Sequence, residues 1–84
     1  MALRMFAEKV STNLFESTMA IKLEKIQKKY SDCEIGSYPY FNFSKKIGGV
    51  KIVISSWKRK DLSSLNQEII KMIKLLGGKS FIVW

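Results

Sequence analysis

The chain reads as a small α+β domain of order β-α-β-β-α-β, and three observations predict it. Two segments carry apolar residues at helical spacing, four shorter runs carry strand-like patterns, and 84 residues leave room for one core only. At that length only about 60–65% of the unfolded surface can be buried, so the whole of 1–84 is taken as a single domain.

The first element is a short mixed run, Met5 to Val10, weakly strand-like, ending in the polar cluster Ser11-Thr12-Asn13. Asn13 with Glu16 three residues later approximates a capping box, a signal for a helix start. Met19, Leu23, Ile26 and Tyr30 then recur at spacings of four, three and four, while Lys22, Lys25, Lys28 and Lys29 fall mostly elsewhere on the wheel. That pattern predicts a surface helix with one buried stripe.

Cys33 to Phe41 and Gly49 to Trp57 read as two strands joined by a hairpin loop over residues 42–48. In the second of them Val50, Ile52 and Ile54 take one face and Lys51, Val53 and Ser55 the other. The second helix has the clearer stripe, Leu62, Leu65, Ile69, Met72 and Leu76, with Asp61 placed to cap its start and Gly77-Gly78 supplying a left-handed stop. Ser80 to Trp84 is the expected last strand.

For this order the commonest arrangement is the ferredoxin-like split βαβ, with four antiparallel strands ordered 4-1-3-2 and both helices on one face. That order puts the second strand at an edge, where Pro39 can lack an N–H without breaking a central ladder. It also sends Lys28 and Lys29 toward the end of the sheet that carries Lys58, Arg59 and Lys60, a candidate basic patch. Lys45, Lys46 and Lys79 fall at the other end, so the cations form two clusters rather than one track.

Fifteen Lys and Arg against seven Asp and Glu give a net charge of +8, enough to attract nucleic acid, an anionic surface or an acidic partner. There is no histidine and one cysteine, Cys33. One chain therefore has neither an intramolecular disulfide nor a Cys/His zinc site, and the usual general base is missing. The seven acids show no spacing that pairs two carboxylates, and no base is suggested beside Cys33. Gly48-Gly49 and Gly77-Gly78 match neither a P-loop nor a dinucleotide fingerprint. No apolar run approaches the roughly 20 residues that cross a bilayer, and no signal-peptide core follows the N-terminus; a cytoplasmic domain without cofactor, metal or membrane contact is expected. RNA-recognition motifs share the element order, but aliphatic residues fill the third strand where stacking rings belong, and the GxxG clamp of KH domains is absent.

The most specific local sequence is Glu34-Ile35-Gly36-Ser37-Tyr38-Pro39-Tyr40-Phe41. With Leu14-Phe15-Glu16-Ser17, Ala20-Ile21-Lys22-Leu23, Ile26-Gln27-Lys28-Lys29-Tyr30 and Gly49-Val50-Lys51-Ile52-Val53-Ile54, it resembles the small domain that follows the molybdopterin-binding-like domain in CinA-type (competence/damage-inducible) proteins. A similar domain occurs in eukaryotic FAD synthases that carry a molybdopterin-binding-like region. The resemblance covers about Met5 to Gly78. It departs at Phe15, where a proline is expected, and at Ser55-Ser56-Trp57, where an arginine is common. It implies that the nucleotide pyrophosphatase and amidohydrolase chemistry of such proteins resides in segments outside these 84 residues.

The resulting expectation is a non-catalytic accessory domain that packs against a molybdopterin-binding-like catalytic domain, in cis or trans, or against a second copy of itself. Ser37, Tyr38, Pro39 and Tyr40 are the candidate interface, because rigid aromatics with a polar tip suit contact surfaces. A small basic nucleic-acid-binding domain is the alternative.

Overall fold

A computed structural model describes residues 5–82. Its elements are β1 (Phe6–Thr12), α1 (Glu16–Lys29), β2 (Glu34–Asn42), β3 (Ile47–Ser56), α2 (Arg59–Leu75) and β4 (Ser80–Ile82). The strands lie in the order β2-β3-β1-β4, antiparallel throughout. β2 is thus an edge, and Pro39 sits on it. α2 packs on β1 and β3, while α1 packs on α2 and β2, so the helices cover one side of the sheet.

The ferredoxin-like sheet of four full strands is corrected at β4. β2 and β3 pair over nine residues and β1 and β3 over seven, whereas β4 meets β1 at only Val10, Ser11 and Thr12. What the structure shows in substance is three antiparallel strands and two helices, a small α+β fold. The reason is local: α2 continues to Leu75 and its stop takes up Leu76 to Lys79, so the described strand begins only at Ser80. Val83 and Trp84, which the sequence assigns to the last strand, lie outside the described residues.

The core is the meeting of three stripes. Met19, Leu23 and Ile26 come from α1, Val50, Ile52 and Ile54 from β3, and Leu62, Leu65, Ile69 and Met72 from α2. Ile73 is also fully buried, one position beside the stripe that the sequence pattern shows. Strand alternation accounts for the rest: Lys51, Val53 and Ser55 turn to the uncovered side of the sheet, as expected.

The helix ends divide into one expectation met and two corrected. Gly77 has φ 82°, with its N–H on the Lys74 carbonyl at 3.0 Å and the Gly78 N–H on that of Ile73 at 2.9 Å. That is a Schellman stop, which needs a residue free of Cβ strain at this point. The capping box is not formed: Phe15 holds the N-cap position of α1 with no side-chain cap, and Asn13 Oδ1 accepts the backbone N–H of Lys79 at 2.8 Å. Asn13 therefore ties the end of β1 to the turn before β4. Asp61 is in the first turn of α2 but caps nothing; Lys58 is the N-cap, its N–H bonded to Ser56 Oγ at 3.1 Å.

Candidate functional site: the edge strand and its hairpin

β2 and β3 run past the helices and close through a four-residue turn, Phe43 to Lys46. Asn42 Oδ1 accepts the Lys45 N–H at 3.2 Å, and Lys46 takes the left-handed conformation at φ 53°. Every residue from Tyr38 to Ile47 is exposed. The radius of gyration, 13.1 Å, exceeds the value of about 12 Å for a compact chain of this length, as an uncovered arm requires.

The arm is apolar. Among the described residues nine large hydrophobic side chains are exposed, and five of them, Tyr38, Tyr40, Phe41, Phe43 and Ile47, lie on this hairpin. Tyr38 is 59% exposed and Phe43 83%. Phe41 and Phe43 meet edge to face, with centroids 4.8 Å apart, which stiffens the tip without hiding it.

The four candidate interface residues do not share one face. Tyr38 lies opposite Lys51 and Tyr40 opposite Gly49, on the uncovered side of the sheet. Ser37 and Pro39 lie opposite Ile52 and Val50, on the helix side. Ser37 is committed to α1, since its Oγ donates to Glu16 Oε1 at 2.8 Å. The Tyr40 hydroxyl accepts from Ser11 Oγ at 3.2 Å and reaches the Thr12 carbonyl at 3.5 Å, which pins that ring across the sheet. Tyr38 has no such anchor, and its ring leans over Gly36, where a methyl group would come within 3.1 Å of it.

The free edge of β2 is partly closed to strand addition. Gln27 of α1 accepts the Ile35 N–H at 3.1 Å and donates to the carbonyls of Cys33 at 2.7 Å and Tyr30 at 3.3 Å. One edge donor is thereby satisfied, and Pro39 removes another. A partner is left the side chains of the arm rather than a continuous ladder of backbone groups. Beside this clamp an open cleft of about 550 Å³ runs from Gln27 and Cys33 over Gly36 to Tyr38 and Val53. Cys33 itself is buried and free.

Two lysines of the candidate basic patch have acidic partners. Lys28 Nζ is 3.5 Å from Glu24, and Lys29 Nζ is 2.7 Å from Glu68 Oε1. Glu68 is nine residues along α2 from Arg59, about 13 Å by helical rise, so Lys29 points away from Lys58, Arg59 and Lys60. Arg59 stacks over Phe6, 5.2 Å from its centroid. Around Glu68 the charges are coupled. Its carboxyl is held below the usual range, first by the hydrogen bond from Lys29, and the Lys29 ammonium is raised by the same bond. Tyr30 is raised too, first through its interaction with Glu68 and then through burial. Glu68 Oε2 is shielded without a partner of normal geometry; the neighbouring Tyr30 phenol is the group able to supply one.

Sequence reasoning passes over the Gln27 clamp and the meeting of α1 lysines with Lys71 on α2. Neither leaves a local signal, because each depends on which helix lies beside which strand.

Known proteins place this fold. The model of the FAD synthase middle domain matches residues 4–76. The chain belongs to that family. No curated protein matches it. Among solved structures, the formyltetrahydrofolate deformylase of Burkholderia mallei is similar in fold, with a TM-score of 0.54 at 11% identity. The likeness covers 94% of this chain and 27% of the deformylase, so the chain spans about a quarter of that protein's length. Among the described residues no helix is long and apolar enough to cross a membrane.

Proposed function

We propose that this FAD synthase middle domain is a non-catalytic docking module of a CinA-like, molybdopterin-binding-like nucleotide-processing protein, held to its catalytic domain or to a second copy through the β2–β3 hairpin. The observation that carries this is the concentration of exposed aromatic and aliphatic side chains on an arm that the helices leave bare. Exposed apolar patches of this kind on small domains mark contact surfaces. Four of the seven acids have side-chain partners: Glu16 holds Ser37, Glu8 accepts from Asn66, Glu24 meets Lys28 and Glu68 meets Lys29. The buried single thiol suits a cytoplasmic setting.

The test is sedimentation of the chain alone and mixed with a separately produced molybdopterin-binding-like domain. Tyr38→Ala with Phe43→Ala should shift the wild-type complex toward free monomer while leaving the helical circular dichroism unchanged. Tyr40 is the poorer choice, because it is anchored to Ser11 and its loss would disturb the fold. An unchanged sedimentation profile for the double variant sinks the proposal.

One observation favours the nucleic-acid alternative: Tyr38 lies across from Lys51 on the open sheet, one pair of rows from Lys9 and Val53. With Tyr40 on the same face pinned to Ser11, Tyr38 is the one unanchored ring there, a weak stacking platform compared with the two or three of RNA-recognition motifs. Titration with a labelled single strand decides it, since real binding would fall with salt at a log–log slope of about −0.7 per phosphate neutralised.

A further inference from the structure

A second surface lies on the opposite side of the molecule, between the two helices. Lys22 and Lys25 of α1 and Lys71 of α2 rim a cleft of about 290 Å³ whose floor is Ile26 and Met72, with Leu75 at its edge. Glu68 also lines it, bonded to Lys29 at 2.7 Å and acted on by Lys71 as well, so the cleft carries more positive than negative charge, with Lys22 and Lys25 adding to the excess. Leu75 is 73% exposed, and Ile21, one turn before Lys25 on α1, is 71% exposed. Leu75 thus sets exposed aliphatic surface beside the cations of the cleft.

We infer that this interhelical cleft takes an acidic peptide segment of a partner protein, one that inserts an aliphatic side chain over Met72 and Leu75 while its carboxylates meet Lys22, Lys25 and Lys71. Charge complementarity selects the acidic partner. The floor selects a peptide over a nucleic acid: it is aliphatic, and bases need aromatic faces on which to stack. Volume sets the scale of the contact, because about 290 Å³ lies at the lower limit for small-ligand pockets and suits one or two inserted side chains. The grip is that of a groove between helices reading alternate positions of an amphipathic segment. This surface is separate from the hairpin, so it stands whether or not the hairpin docks.

The experiment uses the whole chain and a fluorescein-labelled 14-residue peptide alternating aspartate and leucine, with an all-aspartate peptide of the same charge and a 14-nucleotide single strand as comparators. Expected is saturable anisotropy with the aspartate–leucine peptide, at least fivefold tighter than with either comparator. Lys25→Glu with Lys71→Glu should weaken it at least tenfold, and Leu75→Ser by about threefold. Lys58→Glu with Lys60→Glu, equal in charge change but remote from the cleft, should weaken it less than threefold. Circular dichroism of each variant verifies folding. Equal loss in the two charge-reversed variants, or tighter binding of the nucleic acid, would overturn the inference.

Discussion

The helix-covered body and the bare hairpin arm are made from the same two strands, and they obey different rules. In the body, side chains of β3 interlock with both helices: Ile52, Leu65, Ile69 and Ile73 have no exposure at all. On the arm, a few residues along the same strands, no side chain from Tyr38 to Ile47 is hidden. The body holds the core and the arm is the proposed contact surface, so substitutions should separate the two cleanly.

The widest separation is expected between Ile52→Ala and Phe43→Ala. Truncating Ile52 opens a cavity between α1 and α2 and should cost about 2–5 kcal/mol. Truncating Phe43 removes an exposed ring and should change stability by no more than about 0.5 kcal/mol. Urea denaturation of the two variants measures both, and a large loss at Phe43 would mean that the arm is part of the core.

Adjacent glycines mark the boundary of the two regions. A methyl group on Gly49 would lie 1.9 Å from the Thr12 carbonyl oxygen, a backbone atom at the end of β1 that has no room to retreat. A methyl group on Gly48 would meet the exposed Phe41 ring at 2.8 Å and the Tyr40 carbonyl oxygen at 3.1 Å, a milder conflict than that at Gly49. Gly49→Ala should therefore cost about 3 kcal/mol, and Gly48→Ala less than about 1 kcal/mol, by thermal melting. Equal effects would show that β1 and β3 separate more easily than their register implies.

Gln27 joins the regions, because it holds the start of β2 against α1. Gln27→Leu fills the same space but strands the Ile35 N–H and the Cys33 carbonyl, and a loss of about 1–3 kcal/mol is expected from denaturation midpoints. Hydrogen exchange should rise first at Ile35. Loss of protection spread evenly over the sheet would instead assign Gln27 to the core.

How much of this was legible in the sequence follows from the range of each signal. The stripes of α1 and α2, the alternation of β3 and the stop at Gly77 depend on neighbours three or four residues away, and all are present. Asn13 and Asp61 carry capping chemistry, but Asn13 is taken by Lys79, 66 residues distant, a partner no local pattern reveals. The candidate interface residues lie on the exposed edge strand, where Ser37 and Tyr40 are anchored by side-chain hydrogen bonds, and the most exposed ring is Phe43. Lys28 and Lys29 share an end of the sheet with Lys58 by topology, but pairing with Glu24 and Glu68 draws them off.

The smallest expected effect tests that last point. Glu68 is only 30% exposed, and its carboxyl is depressed chiefly by Lys29, so the ionised form contributes stability above the ordinary carboxylate pKa. That contribution is lost as pH falls through the depressed folded value. Lys29 and Tyr30 are raised, so theirs is present below the ordinary ammonium and phenol range and is lost as pH rises through their folded values. Stability should form a plateau between acid and alkaline losses. In Glu68→Gln the acid limb should flatten, and the variant should approach wild type at low pH, where the protonated carboxyl resembles the amide. A constant offset between the two curves from acid to neutral pH would show that Glu68 acts by packing rather than by charge.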